Sequence, residues 1–511
     1  MSEAPEVPPE HAQKDRDQRK LLVGASYNFL GSLGRIIIPL YYILANRIYG
    51  TDAYGLYALA IAPTEILTSF VGAGFADAIQ RFSARDADRH EATSVHYAVL
   101  WRCTWWVVLA SVVAAIAVIF GGHWLATSRW HRPDAYWTLV LFAINAPLVG
   151  VMGILLSACR AVLDMKGDVL VRGFVAPILL IVFAMIYRPF FPNVYGMCLA
   201  LTTSNLVGVA AAIWYFRKHY SLRKLLAGRH TPAPRGLLAF AIPQSINMTI
   251  WQGLWNVDIM MLAGYVSNER IALYRIAAEI GRTVYGIRYS FSNVYAPLVA
   301  RYTLENDIAG LQESYTRLSR WISIVAVPVV AIIVLSQAQL LWIVNPSFDG
   351  GAAFLWLLMI GPLLACSTGL SGNILVMTGH HFWNLSNSAL LLASLAGLNL
   401  VLIPRYGMVG ASVATMVAIS GMSLLQIVEV RWLNGIRVEV SRLWKPFVAG
   451  TVAFLVAYAA GQAVAQLAPP RLVLALVKTF VLLAVYAGGL LLLRLDVDDA
   501  AIVAKWRARR A

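Results

Sequence analysis

The sequence predicts an all-α integral membrane protein: about fourteen transmembrane helices, in two six-helix lobes around a central cavity plus a C-terminal helix pair. Three observations predict it. The chain is 59% hydrophobic and only 13% charged, with a mean hydropathy of +0.66, which excludes an ordinary soluble domain. Apolar windows near the ~20 residues that a bilayer demands recur along its whole length. Short sequence matches from the first half also return, in the same order, in the second.

The windows fall near 21–45, 55–80, 97–120, 137–159, 172–188, 194–216, 236–265, 271–298, 318–343, 352–377, 383–403, 408–430, 446–467 and 472–494. Residues 236–265 and 271–298 are long enough to tilt or kink. Residues 1–20 are polar and rich in Pro, Glu and Lys, and are expected to be a disordered cytoplasmic tail and not a signal peptide. The first lobe then covers 21–216, a basic cytoplasmic linker 217–235, and the second lobe 236–432. The extra helix pair lies in 443–494, and a basic cytoplasmic tail in 495–511.

A net charge of +15 on a soluble chain would suggest nucleic acid. Here the basic residues mark topology, and no nucleic-acid partner is expected. Outside the windows, Lys and Arg lie roughly four to one on the side of the N-terminus, which makes both termini cytoplasmic. The linker RKHYSLRKLLAGRHTPAPR is the densest basic stretch between windows. It reads as a segment drawn to the inner leaflet, with recruitment of an acidic substrate headgroup as the sharper alternative. Four cysteines (Cys103, Cys159, Cys198, Cys366) show no paired spacing and read as small apolar fillers.

Four windows carry polar stripes at helical spacing. In the first, Asn28, Gly31, Arg35, Pro39, Tyr42 and Asn46 share a face; in the second, Glu65, Thr68, Ser69 and Gly72. The seventh aligns Gln244, Asn247, Trp251, Trp255 and Asp258. The eighth has the strongest stripe: Arg275, Glu279, Arg282, Gly286, Tyr289, Ser290, Asn293 and Pro297. Its other side is Ile, Val, Ala and Phe, with Arg288 the exception. An arginine near mid-bilayer costs roughly 3 kcal/mol, so this stripe must face other helices or a wet cleft. Prolines recur inside the windows, at Pro39, Pro63, Pro147, Pro177, Pro243, Pro297, Pro328 and Pro362, and invite kinks.

The repeat is carried by five correspondences. Leu44-Ala45 returns as Leu262-Ala263, Leu56-Tyr57 as Leu273-Tyr274, and Ala84-Arg85 as Ala300-Arg301. Met165-Lys166-Gly167 returns as Met377-Thr378-Gly379, and Tyr195-Gly196-Met197 as Tyr406-Gly407-Met408. Six windows per copy is an even number, so the copies have parallel topology. The register makes Glu65 and Arg282 equivalent positions, and a pair that forms in one access state and parts in another is expected there.

The stretches GTDAYGLYALA (50–60), VGAGFADAIQRFSAR (71–85) and PRYGMVGASVATMVA (404–418) resemble the polysaccharide transporter (Wzx-like oligosaccharide flippase) family. It belongs to the multidrug/oligosaccharidyl-lipid/polysaccharide (MOP) exporter superfamily. The resemblance covers essentially the whole chain. It implies two lobes around a cavity lined by spans one, two, seven and eight. It also implies flipping of an undecaprenyl-diphosphate-linked oligosaccharide across a bacterial inner membrane, with membrane lipids and polysaccharide polymerase or export machinery as further partners. No catalytic residue comes with it.

Guanidinium groups suit a diphosphate because they bind it bidentately and keep their charge when poorly hydrated. Arg35 and Arg282 are therefore expected to receive it, with Arg275, Asn28, Asn247, Trp251, Tyr289 and Asn293 completing the substrate surface. Arg275 and Arg282 also flank Glu279 at helical spacing, which would equally fit a structural ion pair. Trp251 and Trp255 fit packing or interface anchoring better than sugar stacking. Glu65, Asp258 and Glu279 are the candidates for gating or for coupling to a proton or Na⁺ gradient; no cofactor is expected. Asp86-Ala87-Asp88 looks like a sugar-nucleotide metal motif, but no domain surrounds it.

Three other classes compete. A lipid II flippase shares nearly every feature. A cation-exporting multidrug antiporter should have a cavity dominated by carboxylates, whereas here arginine at least balances them. A membrane glycosyltransferase, polymerase or ligase needs an external catalytic domain, and the longest external loop, near 121–136, is too short for one.

Overall fold

The computed structural model describes residues 37–83, 94–162, 164–232, 234, 236–348, 354–437, 439–467 and 469–493. Asn28, Arg35, both tails and Asp86-Ala87-Asp88 lie outside them, as does the side chain of Asn293. The regular structure among the described residues is helical throughout, with no strand. Nine helices there are long and apolar enough to cross a bilayer, or ten if one bent pair is a single span.

The chain divides into two compact units, Met1–Ala272 and Leu273–Ala511. In the first, α1 (Ile37–Tyr49) and α2 (Thr51–Ser83) are joined at Gly50, whose φ of 87° is a left-handed turn that glycine enters without penalty. α3 (Ser94–Trp124) runs into a π-helical turn, Leu125–Arg129. One span follows in two segments, α4 (Asp134–Ala143) and α5 (Asn145–Ala161). α6 (Ala176–Tyr187) comes next, then α7 (Val194–Phe216), whose first turn is capped by Asn193 accepting from the Tyr195 N–H at 3.1 Å. A short helix, α8 (Leu222–Ala227), leads to α9 (Leu237–Leu254) and α10 (Val257–Leu262). The seventh window is thus two helices broken at Trp255–Asn256. Both pack in the first compact unit, although the repeat groups them with the second lobe: the repeat follows sequence correspondence, and the unit follows which helices touch.

Side-chain anchors hold α1 in that unit. Tyr49 Oη donates to the Ala184 carbonyl at 2.6 Å, and Arg188 Nε to that of Ile48 at 2.7 Å. Tyr41, Tyr54, Tyr57 and Phe142 are buried around it, Tyr57 meeting Phe142 edge-on at 5.1 Å. Such edge contacts add to plain area burial.

The long α11 (Asn268–Leu304) crosses into the second unit, followed by α12 (Ile308–Leu335) and α13 (Gln337–Val344). α14 (Leu355–Ser367) and α15 (Ser371–Met377) are the bent pair, meeting at 46°. α16 (His381–Asn434) is a pair of helices joined at a kink, and α17 (Val440–Ala465) and α18 (Arg471–Leu492) form the C-terminal pair. As a straight rod, α16 would measure about 80 Å, against a hydrocarbon core of ~30 Å. It breaks at Gly407, where φ is 55° and ψ −128°. The run is thus two helices meeting at Gly407, and the hydrogen bond between Asn387 and Glu429 brings the second back alongside the first, so the windows 383–403 and 408–430 fall on separate helices.

That backbone conformation is open almost only to glycine and costs about 1–3 kcal/mol elsewhere. Gly407→Ala is expected to lower the thermal midpoint of the purified protein, whereas Gly397→Ala, where an added Cβ meets nothing within 4 Å, should leave it in place.

Lys478 sits inside the last window and finds a structural use. Its Nζ donates to the Leu335 carbonyl, 3.4 Å away at the C-terminal end of α12, where helix carbonyls lack intrahelical donors. Its aliphatic stem crosses α17 at Gly461, where an added Cβ would stand 2.5 Å from Lys478 Cε. All four cysteines are buried and free.

Candidate functional site

Within the first unit, the polar stripe of α2 meets that of α9 and α10 along an antiparallel seam. At one end Asn268 Nδ2 donates to Asp52 Oδ1 at 2.9 Å. Further along, Glu65 Oε2 accepts from Gln252 Nε2 at 2.8 Å and from Asn256 Nδ2 at 3.1 Å. Near the far end Gln244 Nε2 donates to Asp77 Oδ2 at 2.8 Å, and the Arg81 guanidinium lies 4.4 Å above the Phe240 ring. Carboxylate–amide bonds of this kind are charge-assisted and short.

Between these polar contacts the helices touch backbone to backbone. A Cβ at Gly74 would run into the Ala241 carbonyl and the Ser245 amide, and one at Gly55 into the Asn268 carbonyl. In a membrane, where lipid is as apolar as leucine, close approach through small residues is a main source of helix affinity. The break between α9 and α10 lies at the seam's polar centre. There Asn256 Nδ2 also bonds the Gln252 carbonyl at 2.9 Å, satisfying a backbone group that the break would otherwise strand.

The loop after α3 grips the end of α10. Trp130, 2% exposed, donates its indole N–H to the Met260 carbonyl at 3.0 Å, and Arg132 donates to the Val266 carbonyl. Burial pushes the Arg132 guanidinium down from its usual range, and nearby Asp52 and Asp134 oppose that shift. Of the other predicted residues in this unit, Asp258 is 6% exposed. Trp251 is half-buried, and Asn247 Oδ1 is a buried acceptor with no hydrogen-bond donor among the described residues.

In the second unit, the stripe on α11 is a bridged triad. Arg275 Nη2 lies 2.9 Å from Glu279 Oε1, and Arg282 Nη1 lies 3.5 Å from the same oxygen. The two arginines differ in access: the Arg275 side chain is 2% exposed and that of Arg282 33%. Arg282 is thus the more open of the two cations on this carboxylate. Further along, Tyr289 is exposed, and a Cβ built at Gly286 meets nothing within 4 Å among the described residues.

Arg288, the exception on the apolar side, is buried in this unit. Its Nη1 donates to Tyr285 Oη at 3.3 Å and its guanidinium lies 5.2 Å from that ring's centre, a geometry that stabilises a poorly hydrated cation. Three buried or bonded polar groups lie outside the stripes that the sequence displays. Asp77 falls at the end of the second window, and the Gln252–Asn256 spacing of four residues was the signal that two amides share a face. The third is Glu429, 5% exposed, which accepts from Asn387 Nδ2 within α16.

A family profile described as polysaccharide biosynthesis protein matches residues 21–303, which includes the α2–α9 seam and the α11 triad. An uncharacterized membrane protein of Methanocaldococcus jannaschii is 22% identical over 407 residues, 76% of this chain and 92% of that one. Among solved structures, the lipid II flippase MurJ in an inward closed conformation superposes with a TM-score of 0.73 at 12% identity, covering 91% of this chain and 98% of that one. An inward-facing multidrug resistance MATE family transporter of the MOP superfamily gives 0.60 at 14% identity, covering 78% and 94%. At these identities the likenesses establish the fold.

Proposed function

We propose, from the premise that this chain belongs to the polysaccharide biosynthesis protein family and is a MOP-superfamily transporter, not an enzyme, that it flips an undecaprenyl-diphosphate-linked oligosaccharide from the cytoplasmic to the periplasmic leaflet. The observation that carries the reading is the α11 triad. Glu279 bridges Arg275 and Arg282, Arg275 is buried, and Arg282 presents a third of its side chain. Arg275 then positions Glu279, and Glu279 holds the Arg282 fork for a bidentate phosphate contact.

Arg35, from the first window, supplies a second cation in this reading. Asn247, whose buried Oδ1 has no donor among the described residues, accepts from a sugar hydroxyl in this reading, and Trp251, Tyr289, Asn293 and Asn28 are its further substrate contacts. A lipid diphosphate cannot cross ~30 Å of hydrocarbon unaided, so alternating access is required. The α2–α9 seam is the candidate gate, because Glu65 and Asp77 hold it through neutral amides. Protonating either carboxylate, or drawing it to Na⁺, would weaken those charge-assisted bonds; this makes Glu65, with Asp258, the candidate for ion coupling. The two-lobe organisation, the fourteen spans, the inner-membrane location and the cytoplasmic termini belong to the same proposal.

A lipid II cargo is the second reading, prompted by the fold shared with the lipid II flippase, at a TM-score of 0.73. Deleting the gene separates them. An exopolysaccharide, O-antigen or capsule flippase should leave cells viable and accumulate a lipid-linked glycan that only a cytoplasmic-face probe reaches. Arg282→Gln should reproduce that accumulation. Lethality with accumulated peptidoglycan precursor would favour lipid II, and normal glycan distribution in the deletion would defeat both.

A further inference from the structure

The basic linker is a docked surface. As α7 ends at Phe216, the Tyr220 ring stacks on Phe216 at 4.7 Å and on His96 at 5.0 Å. Tyr220 Oη donates to the Ala158 carbonyl at 2.9 Å, and the Ser221 N–H to Tyr97 Oη at 3.1 Å. His219 Nε2 lies 2.8 Å from Asp164 Oδ2. Gly228 closes the segment on the backbone of Tyr97, where a Cβ would stand 2.6 Å from the carbonyl oxygen. Every one of these anchors lies where a span begins or ends: the start of α3, the end of α5 and the end of α7.

What the docked segment presents outward is cationic. Arg217, Lys218, Arg223, Lys224 and Arg229 are all exposed, and no Asp or Glu occurs between residues 217 and 235. Among the described residues, two carboxylates near the end of α5 are engaged, Asp164 by His219 and Asp168 by Arg160, each at 2.8 Å. Two further details set the depth. Trp214, 64% exposed in the last turn of α7, has Lys218 Nζ 3.8 Å from its ring centre, and Leu226 is 59% exposed among the charges of α8. An exposed tryptophan with a lysine above it at a span's end is the pattern of the headgroup layer. A leucine among arginine and lysine suits the boundary just below it.

We propose that residues 214–229 are a prebuilt docking surface for the anionic headgroups of glycerophospholipids in the adjoining leaflet. The ordering cost that a loose basic tail meets on binding is met here by folding, through Tyr220, Ser221 and Gly228. An array of separate exposed cations suits many headgroups at once, unlike the single forked contact a diphosphate needs. The inference requires only that the chain spans a membrane and is independent of the cargo.

The test is lipid selectivity at the protein boundary, measured by electron paramagnetic resonance. The full chain is reconstituted in phosphatidylcholine with trace spin-labelled phosphatidylglycerol or spin-labelled phosphatidylcholine. Phosphatidylglycerol should be favoured by about threefold or more at low salt, and the preference should fade at high salt. The combined variant Arg217→Gln, Lys218→Gln, Arg223→Gln, Lys224→Gln, Arg229→Gln changes only exposed side chains and should lose at least half of it. Gly228→Val keeps every charge but undocks the segment, and should lower the preference as well. Unchanged selectivity in the charge variant overturns the proposal, and unchanged selectivity in Gly228→Val overturns its prebuilt character. Displacement by inorganic phosphate beyond that by chloride of equal ionic strength would overturn the choice of lipid over free phosphate.

Discussion

Gly74→Leu is expected to be among the most damaging single changes in the first unit. Moving a side chain alone cannot make room there, because besides Ser245 Oγ the first atoms it meets are the Ala241 carbonyl and the Ser245 amide of the α9 backbone. Overpacking a good core costs about 1–3 kcal/mol even where side chains can yield. Here the helix itself must retreat, and the seam contacts on either side, Glu65 with Gln252 and Asp77 with Gln244, must lengthen with it. Thermal denaturation should show a clear fall in midpoint, and flipping in proteoliposomes should drop by about tenfold or more, a barrier change of ~1.4 kcal/mol. Gly72→Ala is the control two residues away. A Cβ there meets only the Gly150 Cα at 3.4 Å, an ordinary contact, and both readouts should stay near those of the parent. If Gly74→Leu kept stability and transport together, the seam would not be a close-packed contact at all.

The contrast between Gly72 and Gly74 shows what the sequence could and could not reveal. Composition and window spacing make the membrane fold legible, since any chain this apolar and this regularly interrupted has to span. Helical periodicity also groups Arg275, Glu279 and Arg282, which touch on α11, and picks out Glu65 on α2 and Gln244 on α9, which bond across the seam. Periodicity names a face but not the neighbour that covers it. Gly72 reads as part of the polar stripe of α2, yet Gly74 is the residue seated on the α9 backbone. The seventh window reads as one long helix because its apolar content is continuous across Trp255 and Asn256. The break depends on Asn256 bonding both its own helix and Glu65, and the second of these partners is about 190 residues away in the chain. Arg288 reads as an anomaly on an apolar face because Tyr285, one turn earlier, supplies it with both an oxygen and a ring that periodicity does not display.

Arg275 and Arg282 should separate sharply when each is removed, although the sequence treats them alike. Arg275 is 2% exposed and 2.9 Å from Glu279. Truncating the buried member strands Glu279 on its longer, 3.5 Å contact with Arg282, and costs up to about 3–5 kcal/mol. Arg275→Ala is therefore expected to unfold at markedly lower temperature, with transport lost along with the fold. Replacing both partners by apolar residues of similar size, as Arg275→Met with Glu279→Leu, removes the stranded charge and should restore most of the lost stability. It should not restore transport, because Arg282 then loses the carboxylate that orients it. Arg282→Gln acts in the opposite sense. Its 3.5 Å contact with Glu279 is partly exposed, and pairs of that kind contribute only a few tenths of a kcal/mol. Its thermal midpoint should stay close to the parent while flipping falls. Equal losses of stability for the two arginines would make the triad a packing device alone and remove Arg282 as the phosphate contact. A stable Arg275→Ala that transports normally would show that Glu279 needs no buried partner.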